Sequence, residues 1–254
     1  MSEPLRARVA RDLRTIGALS YYIGILPMIR IPTLLPFVFS TPFTILFILF
    51  VTSRGEAIIY GIAGAVTMTV SQQGLFLGAD LTNLRIEHKF QSVVVASPVS
   101  PLTYMFSVAT SEIAFAAPAL VILFAILPYF TSGVTPVTVL EILTVVILTW
   151  ITTSSIGFFL STYVLNTRTA FLTVAFISII LSVLPPVFYP LQVIPDRLRW
   201  LAEIVPTTHS SVLIQNAIGI SIPPAQTTLS WFALPVFALV FLLLALFKAK
   251  WTET

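Results

Sequence analysis

The sequence has 254 residues, of which 57% are hydrophobic and 9% are charged, and its mean hydropathy is +1.00. A soluble domain carries about 25% charged residues because water must solvate its surface, and a disordered chain needs many charges and few apolar residues, so both classes are excluded. The net charge is +3, and the absence of cysteine excludes disulfides, thiolate metal sites and cysteine nucleophiles. The composition therefore predicts an all-α polytopic membrane protein.

The N-terminal segment, residues 4–22, has the pattern of an interfacial amphipathic helix. Leu5, Val9, Leu13, Ile16 and Leu19 share one face, while Arg11 and Arg14 lie opposite and would face anionic headgroups. The alternative is a basic tail that only sets topology. Pro27 and Pro32 predict a bend after this helix, and the first apolar run begins too late for a cleavable signal peptide.

Hydropathy runs predict six transmembrane helices, each about 20 residues long as the bilayer requires. They are placed near Leu34–Val51, Ala57–Leu77, Thr103–Leu127, Val139–Leu165, Thr169–Leu184 and Leu229–Phe247. Only three of the 13 Lys and Arg residues, Arg54, Arg197 and Arg199, then fall on the outer side. The positive-inside rule therefore predicts both termini in the cytoplasm and a multi-pass protein of the cell membrane.

We expect one transmembrane domain over residues 1–254 rather than several domains. Its predicted parts are a cytoplasmic helix and linker (1–33), spans one to five (34–184), an outer segment (185–228), and span six with its tail (229–254).

Few polar residues interrupt the spans. Glu112 lies near the middle of span three, where an ionised carboxylate costs at least about 2.5–3.5 kcal/mol, and Gln72, Gln73 and Glu141 are lesser cases. Glu112 is either hydrogen-bonded across a helix interface or protonated, or it belongs to a substrate pathway or gate. Small residues at four-residue spacing predict close helix packing; they are Thr153, Gly157 and Ser161, and Gly61, Ala65 and Thr69.

The inner link between spans two and three covers Arg85–Pro101. Charges at residues 85–89 precede an apolar patch, Phe90 and Val93–Val95, which predicts a short helix along the inner interface that Pro98 and Pro101 end.

The outer segment is rich in proline and too apolar for a solvated loop. Two short helical patterns, Asp196–Val205 and Thr207–Ile218, predict half-inserted or re-entrant helices. Such helices need a broken backbone that is buried in protein or lines a water-filled cavity.

Signatures of chemistry are missing from the sequence. There is no G-x-x-x-x-G-K-[ST] phosphate loop, no H-E-x-x-H and no G-x-S-x-G motif. We expect no catalytic residue, no metal site and no nucleic-acid binding.

Two stretches resemble the permeases of type-2 ABC exporters, which export drugs, polysaccharides or lipids. The inner link carries Glu87, Lys89 and Ala96–Ser100 in the pattern E-x-K followed by A-S-P-V-S, and the outer segment carries a hydrophobic-Pro-x-x-Leu pattern through Pro186, Phe188, Pro190, Leu191, Ile194, Pro195, Leu198, Leu201 and Pro206. Both stretches lie where a six-span topology places them.

This resemblance implies an export permease subunit for a hydrophobic or amphipathic substrate. It would work in the lipid membrane as a homo- or heterodimer with two cytosolic ATPase subunits, which would bind the ATP and Mg²⁺; no cofactor is expected in this chain. The implied ATPase-coupling residues are Glu87, His88, Lys89, Phe90, Gln91, Val94, Ser97 and Pro98, and weaker contacts are implied for the N-terminal helix at Arg6, Arg11, Arg14 and Tyr21.

Possible pathway or gate residues are Glu112, Gln72, Phe171, Phe188 and Tyr189; further aromatic candidates are Phe37, Phe39, Phe43, Phe47 and Phe176, and the alternative for the aromatic side chains is contact with lipid.

Two other classes of protein compete with this interpretation. An ion-gradient-driven carrier or channel would need a relay of buried ionisable groups and an inverted repeat, whereas the predicted spans contain one clear acid. An intramembrane enzyme would need clustered His, Asp, Glu or Arg, and the sequence shows no such cluster.

Overall fold

The computed structural model describes residues 5–31, 43–44, 46–47, 50, 55–89, 94, 96–97, 99–131, 134–183 and 185–248. All regular elements among these residues are helical. In chain order they are α1 (Leu5–Ser20), a π-helical segment (Tyr21–Ile25), α2 (Leu26–Arg30), α3 (Glu56–Ile86), α4 (Pro101–Phe130), α5 (Pro136–Tyr163), α6 (Thr167–Val183), a 3-10 turn (Leu191–Val193), α7 (Asp196–Glu203), α8 (Pro206–Ala217) and α9 (Pro224–Lys248).

Within the described ranges, three helices are long and apolar enough to cross a membrane. They are Thr103–Phe130 in α4, Pro136–Tyr163 in α5 and Pro224–Phe247 in α9. A shorter apolar helix, Thr167–Ser182, matches the predicted fifth span, and most of the predicted first span lies outside the described residues. The helical membrane fold is confirmed, while the count of six spans and the position of the termini stay predictions.

The centre of the bundle is α3, which packs against α4, α5, α6 and α8. It continues to Ile86, well past the predicted end of span two at Leu77. Its buried polar side chains, such as Thr67, Thr69 and Ser71, explain its lower hydropathy, because a helix surrounded by other helices does not have to dissolve in lipid.

The contact between α3 and α5 is made by small residues. A Cβ atom at Gly78 would lie 2.5 Å from the carbonyl oxygen of Gly157, and one at Gly157 would lie 2.8 Å from that of Gly74. The predicted close packing at Thr153 and Gly157 is therefore confirmed. Their partners are Gly74 and Gly78, two positions that the sequence pattern did not single out.

The N-terminal helix continues past Pro27, the first of the two prolines that were expected to bend the chain. The chain stays helical from Leu5 to Arg30, with a π-helical turn just before Pro27. In that turn the N–H of Leu26 bonds to the carbonyl of Tyr21, five residues back. The helix ends at Ile31, the residue before Pro32, where a proline disfavours the helical conformation of its predecessor.

The outer segment forms the two predicted short helices, α7 and α8. Helix α7 exposes Leu198, Trp200 and Leu201, whereas residues 206–215 of α8 are all buried. Helix α8 packs against α3, α5, α7 and α9. Its backbone is thus enclosed by protein, and whether it lies at membrane depth stays a prediction.

Candidate functional site

Three of the predicted pathway residues contact α3 at different positions along its axis. The ring of Phe188 lies against Gly64, where a Cβ atom would collide with it. The ring of Phe171 packs on that of Phe76 with centroids 6.4 Å apart, and Glu112 meets Asp80. Gly64 and Asp80 are about 24 Å apart along the helix axis at 1.5 Å per residue. The structure therefore distributes these residues along one helix instead of gathering them into one pocket.

The carboxyl groups of Asp80 and Glu112 lie within hydrogen-bonding reach of each other across the α3–α4 interface. An ionised carboxylate can only accept a hydrogen bond, so a hydrogen bond between them requires a proton on one of the two groups. Glu112 is 2% exposed, and its Oε1 atom has no hydrogen-bond partner among the described residues. Because α3 extends past the predicted end of span two, it brings a second acid, Asp80, to Glu112.

One face of α3 is polar and only half-buried. Gln72, Phe76, Asp80 and Asn83 follow each other at helical spacing, and each keeps part of its surface accessible in the isolated chain. In a helix surrounded by lipid, such polar groups would lack hydrogen-bonding partners. This face is suited to contact a water-filled pathway or another protein chain.

The inner end of α3 carries the first of the predicted coupling residues. The side chains of Glu87, His88 and Lys89 are exposed, and Lys89 turns the chain with a φ of 48°. Val94 is buried in a core cluster with Tyr104 and Met105 from α4. This buried valine anchors the link to the bundle.

The end of the inner link that the structure describes forms the N-terminal cap of α4. The Ser97 hydroxyl donates to the carbonyl of Val94, and the Ser100 hydroxyl accepts from the N–H of Thr103 as the N-cap of α4. Pro101 begins this helix, where the missing N–H costs nothing. Phe90, Gln91 and Pro98 lie outside the described residues.

Two hydrogen bonds join this link to the turn between α5 and α6. The guanidinium of Arg85 donates to the carbonyl of Val164 at 2.6 Å, and the hydroxyl of Thr167 donates to Glu87 Oε1 at 3.1 Å. The two inner connections are therefore tied together.

The N-terminal helix packs against the half of α4 that follows the inner link. The Ser20 hydroxyl donates to the carbonyl of Ser107 at 2.8 Å, and a Cβ atom at Gly24 would lie 2.7 Å from that of Ser111. Four residues implied as ATPase contacts are exposed on it: Arg6, Arg11, Arg14 and Tyr21.

Helix α8 is held by a buried polar network that also includes the Pro186–Val187 backbone. The Ser211 hydroxyl lies 3.1 Å from the carbonyl oxygen of Pro186 and 3.0 Å from that of Val187. It also accepts from Gln215 Nε2 at 2.7 Å. The Thr207 hydroxyl donates to the carbonyl of Leu181 in α6. These bonds fix the Pro186–Tyr189 stretch, and hence Phe188, over α3. Partial burial raises the pKa of the neighbouring Tyr189.

His209 occupies the centre of this network. Its Nε2 lies 2.7 Å from the carbonyl oxygen of Glu203, so Nε2 carries the proton and Nδ1 accepts from the Ser230 hydroxyl at 3.1 Å. Burial lowers the pKa of His209, against smaller opposing effects of the Glu203 carbonyl and carboxylate. The neutral imidazole thus joins α7, α8 and α9.

Sequence reasoning missed the roles of three residues. These are the contact of Asp80 with Glu112, the hydrogen bond of Arg85 to Val164, and the hydrogen bonds by which His209 joins α7, α8 and α9. A helix assignment that ignored hydropathy and continued to the charged Arg85 would have placed Asp80 within α3. No local signal marks the bond of Arg85 to Val164 or that of His209 to Ser230, because these partners lie 79 and 21 positions apart. In the described part of the chain, no group of three or more His, Asp or Glu residues could hold a metal ion.

Comparison with known proteins identifies the chain by family alone. No curated protein matches it. The family model of the ABC-2 type transporter matches residues 17–218, which include α3 to α8 and both stretches that carry the resemblance. Members of this family are membrane subunits of transporters and associate with ABC ATPases. The chain belongs to the ABC-2 type transporter family.

Proposed function

We propose that the chain is the permease subunit of an ATP-driven exporter that moves a hydrophobic or amphipathic substrate out of the cytoplasm. The observation that carries this proposal is the half-buried polar face of α3. Gln72, Asp80 and Asn83 form this face, and Phe76 lies among them. In a family of transporters, a polar face on a central membrane helix is well suited to line the substrate pathway.

The chemistry of this face favours an amphipathic substrate. Phe76 and Phe171 offer apolar rings in mutual contact, while Gln72 and Asp80 offer polar groups within one or two helical turns of Phe76. A second permease subunit, identical or different, would cover the open side of α3 and complete the pathway.

The motor of this exporter would be a pair of cytosolic ATPases that bind ATP and Mg²⁺. The exposed side chains of Glu87, His88 and Lys89 at the inner end of α3 support a docking role for the inner link. The buried Val94 supports it as well, because an anchored link passes force into the bundle.

Affinity purification in mild detergent tests the partnership. We expect one ATPase subunit per permease chain, two of each in the complex, and ATP hydrolysis by the purified complex. Inside-out vesicles should then accumulate a fluorescent lipid analogue or an amphipathic dye when ATP is added. A permease that purifies without any ATPase would overturn the proposal.

Phe90→Asp tests the inner link directly, with Tyr129→Asp, at the exposed far end of α4, as the control for an added carboxylate. We expect Phe90→Asp to keep membrane insertion and to uncouple ATP hydrolysis from transport. Unchanged transport would remove the coupling role from the link.

The proximity of the Asp80 and Glu112 carboxyl groups favours one second candidate, a proton-linked carrier, because carriers place ionisable groups inside the membrane. A protonophore separates the two functions. It should leave ATP-driven accumulation in vesicles unchanged for the exporter and abolish accumulation for the carrier.

A further inference from the structure

Building on the proposed function, we propose that the exporter selects amphipathic amines in their protonated form. The ammonium group binds at Asp80 beside Glu112, and the apolar part of the molecule lies on the rings of Phe76 and Phe171. The proposed function leaves the charge of the substrate open, and these four side chains assign it a single positive charge.

Asp80 lies on α3 between the contacts that this helix makes with α6 and with α4. Ala79, the residue before it, is buried in a cluster with Ala170 of α6, and Leu81, the residue after it, is buried in a cluster with Tyr104 of α4. Successive side chains of a helix are about 100° apart, so Asp80 points into the gap between α4 and α6. It keeps part of its surface accessible, so a ligand in this gap can reach it.

An aromatic surface lies one helical turn from Asp80 along the same gap. Phe76 precedes Asp80 by four residues, about 6 Å along the helix axis, and its ring packs on that of Phe171 of α6 with centroids 6.4 Å apart. The Phe171 side chain is 39% exposed. The two rings offer apolar surface to a substrate, and their faces also attract a nearby cation.

The acidic pair at the other end of this surface carries one unsatisfied atom. Glu112 is 2% exposed, and its Oε1 has no hydrogen-bond partner among the described residues. Buried polar atoms in native proteins are nearly always hydrogen-bonded, so this oxygen points to a ligand that brings a donor. An ammonium group has three donors and no acceptor, which matches a pair of carboxyl groups.

The charge of the pair favours a monovalent ligand. Two carboxyl groups within hydrogen-bonding reach do not both ionise, so Asp80 and Glu112 together carry one negative charge at most. In the described part of the chain, no further His, Asp or Glu joins them to hold a metal ion. Arg85, the next basic residue along α3, donates to the carbonyl of Val164. An anionic lipid or a sugar phosphate would therefore meet acidic groups here, whereas an organic cation is attracted.

A series of dansyl compounds tests the charge of the ligand on the natural protein. Dansylcadaverine carries a protonated primary amine, its N-acetyl derivative is neutral, and dansyl-aminohexanoic acid is an anion, while all three share the same fluorescent rings. We expect the purified permease–ATPase complex to bind dansylcadaverine at least about tenfold more tightly than the other two compounds. Equal affinities for the three compounds would overturn the proposal, and this comparison needs no variant that has to fold.

Asp80→Asn tests the position of the site, because it removes the charge and keeps the size of the side chain. We expect it to weaken the binding of dansylcadaverine at least about tenfold and to leave that of the neutral derivative unchanged. Asp80→Glu restores the carboxyl group and should recover the affinity to within about threefold. A purely structural pair would instead shift the affinities for all three compounds alike, which would overturn the proposal.

Two further variants complete this test. Glu141→Gln is the matched acid-to-amide control, since Glu141 lies about 24 Å along α5 from Gly157, the residue that meets α3 at Gly78. It should bind dansylcadaverine like the natural protein. Phe76→Leu keeps an apolar side chain without an aromatic ring, and we expect it to weaken dansylcadaverine binding by about two- to fivefold. A Phe76→Leu protein with unchanged affinity would remove the aromatic surface from the site.

Vesicle transport separates this proposal from the proposed function. Inside-out vesicles should accumulate dansylcadaverine when ATP is added. If ATP drives the accumulation of a neutral lipid analogue but the dansyl compounds bind without regard to charge, the selection of amines is refuted while the exporter stands. If ATP drives the accumulation of none of these probes, the proposed function itself fails.

Discussion

The carboxyl groups of Asp80 and Glu112 meet between α3 and α4, the two helices that the inner link connects. A hydrogen bond in this pair would tie the helices on both sides of the proposed docking site. Its effect on stability and its effect on transport can be measured apart.

Substitutions of Glu112 should depend on whether hydrogen bonding is kept. Glu112→Gln retains a donor and an acceptor for Asp80, so we expect a loss of less than about 1 kcal/mol in the free energy of unfolding. Glu112→Leu leaves Asp80 without its partner and should cost about 1–3 kcal/mol. Thermal unfolding in detergent measures both.

The double variant Asp80→Leu/Glu112→Leu is the control, because removing both partners is far less costly than removing one. Equal losses for Glu112→Gln and Glu112→Leu would show that the hydrogen bond contributes nothing. A Glu112→Gln protein that is stable but transports poorly would instead place Glu112 in the pathway.

Gly157→Ala should weaken the contact between α3 and α5. The added Cβ atom would lie 2.8–3.0 Å from backbone atoms of Gly74, Leu75 and Gly78, none of which can rotate away. Overpacking of this kind costs about 1–3 kcal/mol, and thermal unfolding should report it. Gly17→Ala is the matched control, since nothing lies within 4 Å of its new Cβ atom, and there the gain in helix propensity should stabilise the chain by about 0.5–1 kcal/mol. A neutral Gly157→Ala would contradict the close packing.

Phe188 and Gly64 should show strong coupling in a double-mutant cycle. Gly64→Ala alone forces the Phe188 ring away from α3 and should cost about 1–3 kcal/mol. In the Phe188→Ala background the clash is gone, so the same Gly64→Ala change should cost nearly nothing. Additive effects on the unfolding temperature would mean that the ring does not rest on Gly64 in the membrane.

Local sequence signals predicted those parts of the fold that depend on local chemistry. The two short outer helices were predictable because Asp196 and Pro206 mark their starts, and the small residues of α5 were predictable from their spacing. Hydropathy ended span two at Leu77 because it scores Asp80 alone and cannot register a partner such as Glu112. Pro27 does not end its helix, and the π-helical turn just before it changes the hydrogen-bonding register. The bridge from Arg85 to Val164 spans 79 positions, so only the tertiary fold brings the two residues together.

The protein should become less stable as the pH is lowered, because His209 then becomes protonated. His209 lies outside the spanning helices. Burial lowers the pKa of this imidazole in the folded state, so the unfolded chain binds the proton more readily. Its contribution to stability is therefore complete above the unfolded pKa of about 6.5 and is lost as the pH falls from there towards the lower folded pKa. We expect the unfolding temperature of the natural protein to drop between about pH 7 and pH 5. His209→Gln cannot titrate but can still donate to the Glu203 carbonyl, so its unfolding temperature should change less over the same range. His88→Gln, an exposed position, controls for the loss of any histidine, and a pH profile that is identical in the natural protein and His209→Gln would rule out His209 as the titrating group.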